Sequence, residues 1–265
     1  MCSTLSKQQR HNRQRLLELY HGASCGHIAC SLSCVDIVYA AYAWKTEGEQ
    51  FILSKGHAAG AMYIVLHALG RLSDEQLASF YKDGTKLAAH PSVGISNDIP
   101  FALGSLGHGL PIAAGIAYGK QHAGLTERTF VLMSDGETNE GTTWEAAHFA
   151  VRNRLSGLFV IIDANGLQGF GRTSDVLGNT ADPDVWRALG FRVIEVDGHD
   201  EKSLKTFVCE TRPDVDGRPT VLIAHTIKGS GVPFMENKLE WHYLPMNEQL
   251  FNDAMAHLAE HGHAE

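Results

Sequence analysis

Thr129–Thr173 reads TFVLMSDGETNEGTTWEAAHFAVRNRLSGLFVIIDANGLQGFGRT. Two apolar runs within it, Thr129–Met133 and Leu158–Ile162, are rich in β-branched and aromatic residues and have the length of buried strands. Each ends at oxygen-bearing residues beside a glycine, Ser134-Asp135-Gly136 and Asp163-Ala164-Asn165-Gly166. Thr142–Arg154 between them reads as a helix. The unit is therefore strand–loop–helix–strand, and a right-handed crossover makes the strands parallel. Both polar ends then reach one edge of the sheet, where open α/β sheets bind ligands.

Asp135 offers a carboxylate, Asn165 a carboxamide, and the residue after Gly166 a free backbone carbonyl. Oxygen donors alone, too few to cage an ion, suit Mg²⁺ or Ca²⁺ completed by water and by a ligand's phosphates. Gly136 lets phosphate approach the main chain, and the following helix start adds N–H donors. Taken singly, Asp135 and Asn165 are also ordinary turn formers or caps. The pair, after two consecutive strands, points to a metal–diphosphate site.

Around this centre the chain alternates helices and strands. Gln8–Gly22 reads as an amphipathic helix, and Cys34–Trp44 as a second helix after a polar break at Ser31–Ser33. Phe51–Leu53 is a short strand, and a helix follows over Ala58–Leu69. Further helices are expected at Ser73–Tyr81, Leu110–Lys120, Asp182–Leu189, Glu201–Arg212 and Met246–His263, with strands at Phe191–Val196 and Thr220–His225. Ser73 and Asp182 are the expected caps, with Pro183 in a first turn. Lys55 is either a phosphate-binding cation or a solvated side chain. Residues 1–265 read as one domain, with 1–10 and 258–265 peripheral.

Composition sets bounds. A net charge of −8 disfavours a nucleic-acid groove. No run is apolar and long enough for a membrane span, and the N-terminus lacks an apolar signal core, so a cytoplasmic protein is expected. Five cysteines match no usual zinc spacing and read as small core thiols in a reducing compartment.

Asp135-Gly136 followed by Asn165 resembles the thiamin diphosphate motif of the transketolase superfamily. The similarity extends over GHIACSLSCVDIVYAAY, FILSKGHAAGAMYIVLHALG, AHPSVGISNDIPFALGSLGHGL, VDGHD and HTIKGSGVPFMENKLEWH. The length is that of the N-terminal subunit of a two-gene transketolase. The resemblance implies a parallel sheet flanked by helices on both faces, with thiamin diphosphate and Mg²⁺ (or Ca²⁺) as cofactors. It makes Asp135, Asn165 and the Leu167 carbonyl metal ligands. Gly136, Gly104, Leu106, His57 and His108 become cofactor contacts. His27, His57, His90 and His242 become the catalytic histidines, with His108 beside them around the reacting carbons. Histidine titrates nearest neutrality, which suits proton movement between hydroxyl and carbonyl oxygens. His199, in the DGHD turn, reads as structural, and the remaining histidines read as helix faces or tail.

The glutamate that activates the cofactor's pyrimidine belongs, in this superfamily, to a pyrimidine-binding domain that this chain lacks. A C-terminal partner subunit is therefore expected, in a heterotetramer with shared sites, and Glu140 resembles the interface acid beside that glutamate. The substrates implied are sugars or sugar phosphates. The alternatives are another two-subunit thiamin enzyme, such as an E1-α-like component or specialised transferase, and a non-catalytic subunit of the same fold. The chain departs from the family at Ala29-Cys30, Ser134, Gly169 and Tyr243-Leu244. Phe170 is a candidate to fill the space left at Gly169.

Overall fold

The computed structural model describes residues 5–260. In chain order the elements are α1 (Lys7–Ala23), α2 (Ile28–Trp44), β1 (Gln50–Leu53), α3 (Ala59–Ala68), α4 (Asp74–Ala78), α5 (Gly109–His122), β2 (Thr129–Ser134), α6 (Gly141–Arg152), β3 (Leu158–Ala164), α7 (Thr173–Leu177), α8 (Pro183–Leu189), β4 (Arg192–Asp197), α9 (Glu201–Glu210), β5 (Thr220–His225) and α10 (Glu248–Glu260). One-turn 3₁₀ segments occupy Gly56–Ala58, Gly136–Asn139 and Leu239–His242.

The five strands form one parallel sheet in the order β1-β2-β3-β5-β4. Register explains why the central strands read as unbroken apolar runs. Phe51, Phe130 and Phe159 align across β1–β3 on one face, against α1, α2, α3, α9 and α10. Ile52, Val131, Val160 and Val221 align on the other, against α5, α6 and α8. A parallel strand covered on both sides is apolar along nearly its whole length, not at alternate positions. The carboxyl ends of β1, β2, β3 and β5 meet at one edge, and the residues singled out in the sequence lie there.

Several boundaries differ from the sequence reading. The polar break at Ser31–Ser33 does not exist, because α2 begins at Ile28 and runs through it. Both serines are buried and bonded: Ser31 pairs with the Tyr20 hydroxyl at 2.7 Å, and Ser33 donates to the Cys30 carbonyl at 3.0 Å. A serine that donates to a carbonyl one turn back leaves the helix ladder intact. The expected Ser73–Tyr81 helix shortens to α4, capped by Ser73 as expected, and Tyr81 takes a positive φ of 60°. Asp182 caps α8 with Pro183 at its start. The expected final helix reached His263; α10 is described to Glu260, and residues 1–4 and 261–265 lie outside the described residues. Among the described residues, no helix is long and apolar enough to cross a membrane.

Candidate active site

The loops after β2 and β3 meet. Asp135 accepts from the Gly166 amide at 2.7 Å and from the Thr173 hydroxyl at 3.0 Å, while its other oxygen accepts from the Gly136 amide at 2.8 Å. The acid and the Asn165–Leu167 loop are therefore neighbours. Burial, with Asp163 nearby, pushes the Asp135 carboxyl up to about 6; a divalent cation would oppose that shift. Asn165 Oδ1 accepts from the Leu167 amide at 3.1 Å, and the Leu167 carbonyl accepts from Lys228 Nζ at 3.1 Å. A carboxylate and two amide-type oxygens, each with a lone pair to spare, fit a hard cation. A side chain at Gly136 would run into Gln168, whose Cγ lies 2.9 Å from the position of an added Cβ. A 3₁₀ turn over Gly136–Asn139 follows Asp135, and α6 begins at Gly141, one residue before the expected Thr142.

Lys55 is neither a phosphate cation nor solvated. It is fully buried, forms an ion pair with Asp163, and donates to the Cys30 carbonyl at 3.2 Å. Burial works against the Lys55 charge, but Asp163 more than offsets it and raises the ammonium's pKa. Burial would likewise raise Asp163, and Lys55, Ser33 and Thr226 bring it below the ordinary value. Asp163 Oδ2 also accepts from Asn165 Nδ2 at 3.2 Å. The amide of Asn165 therefore turns its NH₂ to Asp163 and its Oδ1 to the Leu167 amide. The signal for this pair was an acid inside LFVIIDA, since an aspartate in a buried strand requires a cation.

Four of the expected histidines converge. His27 lies 5.7 Å from His57, 6.3 Å from His90 and 5.2 Å from His242 between ring centroids, and His57 stacks with His242 at 5.7 Å. His27 holds a left-handed φ of 71°, and its amide donates to the His242 carbonyl at 3.1 Å. Gly104 packs on His90, with an added Cβ placed 3.2 Å from the ring. His108 does not join the four: it is exposed at the start of α5, its Nδ1 3.1 Å from the Leu106 carbonyl. His199 is structural. Its Nδ1 meets Asp36 at 2.9 Å, its Nε2 accepts from the Ile227 amide at 3.0 Å, and Asp36 also binds Arg13. Burial alone would raise the Asp36 carboxyl, but Arg13 holds it at about 2.

Lys228, which the sequence reading passed over, joins the halves of the site. Fully buried, it reaches the Leu167 carbonyl and, at 2.9 Å, His242 Nδ1. An ammonium can only donate, so Nδ1 is the acceptor and the neutral ring carries its proton on Nε2. Burial first, then the Lys228 charge, bring His242 down to about 3. Burial and Lys55 push His57 well below its ordinary value, and burial lowers His27 and His90. The rings of His57 and His242 are therefore expected to stay neutral on acidification. In ¹H–¹³C spectra of labelled histidine their C2 signals should not move between pH 8 and 6; a titration midpoint near 6.5 for either would contradict this packing.

Glu137 was also missed. It is buried, accepts from Ser54 and, at 2.8 Å, from the Gly107 amide, and burial lifts it to about 7. It ties the end of β1 to the Gly104–Gly107 turn. Glu140 is exposed at the start of α6, beside Gly107. Ser134 accepts from the Glu137 amide at 3.1 Å, which a glycine could not do. Ala29 and Cys30 sit in the first turn of α2, and their carbonyls accept from Gly229 and Lys55. Phe170 does not fill the space at Gly169, since it is 87 % exposed. The Tyr243 hydroxyl takes that space and donates to the Gly169 carbonyl at 2.9 Å.

Residues 28–262 match the family described as "Transketolase, thiamine diphosphate binding domain". The chain is 35 % identical to an apulose-4-phosphate transketolase subunit of Phocaeicola vulgatus, over 97 % of this chain and 94 % of that protein. It is 33 % identical to a 6-deoxy-6-sulfo-D-fructose transketolase subunit of a Clostridium species, over 94 % of each. A solved transketolase from Campylobacter jejuni has the same fold, with a TM-score of 0.85 at 24 % identity over 95 % of this chain and 42 % of that one. The chain belongs to the transketolase family, in its thiamine diphosphate-binding domain.

Proposed function

We propose that this member of the transketolase family is the diphosphate-binding subunit of a two-subunit enzyme that moves a two-carbon ketol unit from a ketose, or ketose phosphate, to an aldose. The observation that carries the reading is Lys228 Nζ, bonded to the Leu167 carbonyl at 3.1 Å and to His242 Nδ1 at 2.9 Å. One buried cation thereby couples a cation-binding loop to a histidine cluster. The subunit names of the relatives, which align along nearly their whole length, support a partner.

Mg²⁺ would be held by Asp135, Asn165 and the Leu167 carbonyl, and thiamin diphosphate would supply the carbon nucleophile and the electron sink. The residues of this chain bind and orient. Asp163 fixes the Asn165 amide, and Glu137 positions the Gly104–Gly107 turn beside Glu140 at the interface. His242 presents its Nε2 proton toward the Gly169 side, where Nε2 lies 3.5 Å from an added Cβ, and can donate to a developing oxyanion. His27, His57 and His90 line the same mouth as neutral rings and can accept or return hydroxyl protons. The partner chain contributes the pyrimidine-binding domain and its glutamate, and two copies of each chain would share the sites. A reducing cytoplasm fits the free thiols of Cys25, Cys30, Cys34 and Cys209.

Coexpression with the product of a neighbouring transketolase-like reading frame tests the reading. The pair should transfer ketol units from ketose phosphates in the presence of Mg²⁺ and thiamin diphosphate. Either chain alone should be slower by about 1000-fold or more, because an incomplete site loses groups that act as a unit. Robust turnover by this chain alone, or transfer from pyruvate in place of ketoses, would overturn it.

A further inference from the structure

Two of the positions that set this chain apart, Gly169 and Tyr243, occupy one volume. A Cβ added at Gly169 would lie 2.3 Å from the Tyr243 hydroxyl and 3.3 Å from the ring carbon that bears it. No real side chain approaches that closely, so residue 169 can carry a side chain only if the phenol shifts. The phenol makes two contacts: its hydroxyl donates to the Gly169 carbonyl at 2.9 Å, and its ring packs 4.7 Å from His242. The Tyr243 main chain lies close to Gly26, where an added Cβ would sit 2.4 Å from the Tyr243 backbone oxygen. His27, one residue after Gly26, lies 6.5 Å from the phenol between centroids. Although so held, Tyr243 is 55 % exposed. It stands at the rim of the histidine cluster and is not part of the core.

From this arrangement we infer that Gly169 and Tyr243 form one steric unit in which Tyr243 is the specificity-determining side chain, restricting the sugar chain beyond its reacting carbons to short donors. The inference rests on the ketol-transfer reading for its substrates, but the steric pairing stands on these contacts alone. The phenol covers the side of the cluster between His27, His242 and Gly169. On the ketol-transfer reading, a sugar whose reacting end lies among those histidines would pass its remaining carbons along that ring. A fixed ring in a channel discriminates by size, and a pocket contact of one or two carbons is worth about 10–200-fold.

The test is a double-mutant cycle in the assembled two-subunit complex, with five-, six- and seven-carbon ketose phosphates as donors. Tyr243→Gly should raise kcat/KM for the seven-carbon donor relative to the five-carbon donor about tenfold. Tyr243→Phe, which keeps the ring, should leave that ratio within about twofold. Gly169→Ala should expel the phenol and shift the ratio in the same direction, yet change it by less than about twofold in a Tyr243→Gly background. An unchanged ratio in Tyr243→Gly, or simple addition of the two substitutions, overturns the inference. Thermal unfolding of this chain gives a readout independent of turnover. Gly169→Ala should lower Tm by about 2 °C when Tyr243 is present, through the lost hydrogen bond, and leave it equal or higher when Tyr243 is glycine. A wild-type complex that transfers no ketol unit sinks the functional reading, while the unfolding cycle still decides the pairing: the same Tm change in both backgrounds overturns it.

Discussion

Lys55→Met should destabilise the chain by about 3–5 kcal/mol, the cost of breaking a buried ion pair by removing one partner. Lys55 and Asp163 are both fully buried, and with a sequence separation of 108 residues the pair binds the turn after β1 to the end of β3. Without the ammonium, the Asp163 carboxylate keeps Ser33, Thr226 and the Asn165 amide as donors but has no countercharge. Methionine fills most of the volume, so the loss reports charge and not a cavity. Urea denaturation measures it, and the double variant Lys55→Met/Asp163→Asn supplies the contrast. Removing the orphaned charge should recover at least about half of the loss, because a buried pair replaced by neutral groups is often tolerated. A single variant within about 1 kcal/mol of wild type, or a double variant worse than the sum of the two singles, would show that the pair is not a buried ionic contact.

Asp135→Asn should weaken binding of magnesium–thiamin diphosphate to the assembled complex at least about 100-fold, beyond the loss that follows when a group supporting a ligand is changed. Asparagine is isosteric, and its oxygen can still accept from the Gly166 amide, which now meets Asp135 at 2.7 Å. The loops should therefore remain together, and what disappears is the formal negative charge that a hard dication requires. Isothermal titration with the cofactor and Mg²⁺, beside an unchanged circular dichroism spectrum, separates the ligand role from folding. Binding within about threefold of wild type would remove Asp135 from the cation site.

Much of the architecture was legible in the residues alone. The apolar runs at Thr129, Leu158 and Thr220 and the Ser73 and Asp182 caps are local signals, and each element that they announce is present. The Asp135 and Asn165 loops were legible because a parallel crossover brings consecutive strand ends to one edge. The local reading failed at Ser31–Ser33, where a serine's polarity looks like a break until its hydroxyl finds a partner. It failed at Phe170, where an apolar neighbour seemed the natural filler for a gap.

The strand–helix alternation, the sheet edge that carries the site and the residue types available there follow from the order of residues in the chain. Which of those residues touch follows from the packing of whole elements. The Lys55–Asp163 pair, the bridge of Lys228 between Leu167 and His242, the gathering of His27, His57, His90 and His242 without His108, and the exclusion between Gly169 and Tyr243 all join distant segments. Periodicity reports which face of an element a side chain takes, but a contact between loops depends on how whole elements pack. A buried charge or an open glycine acquires its partner only when that packing is complete.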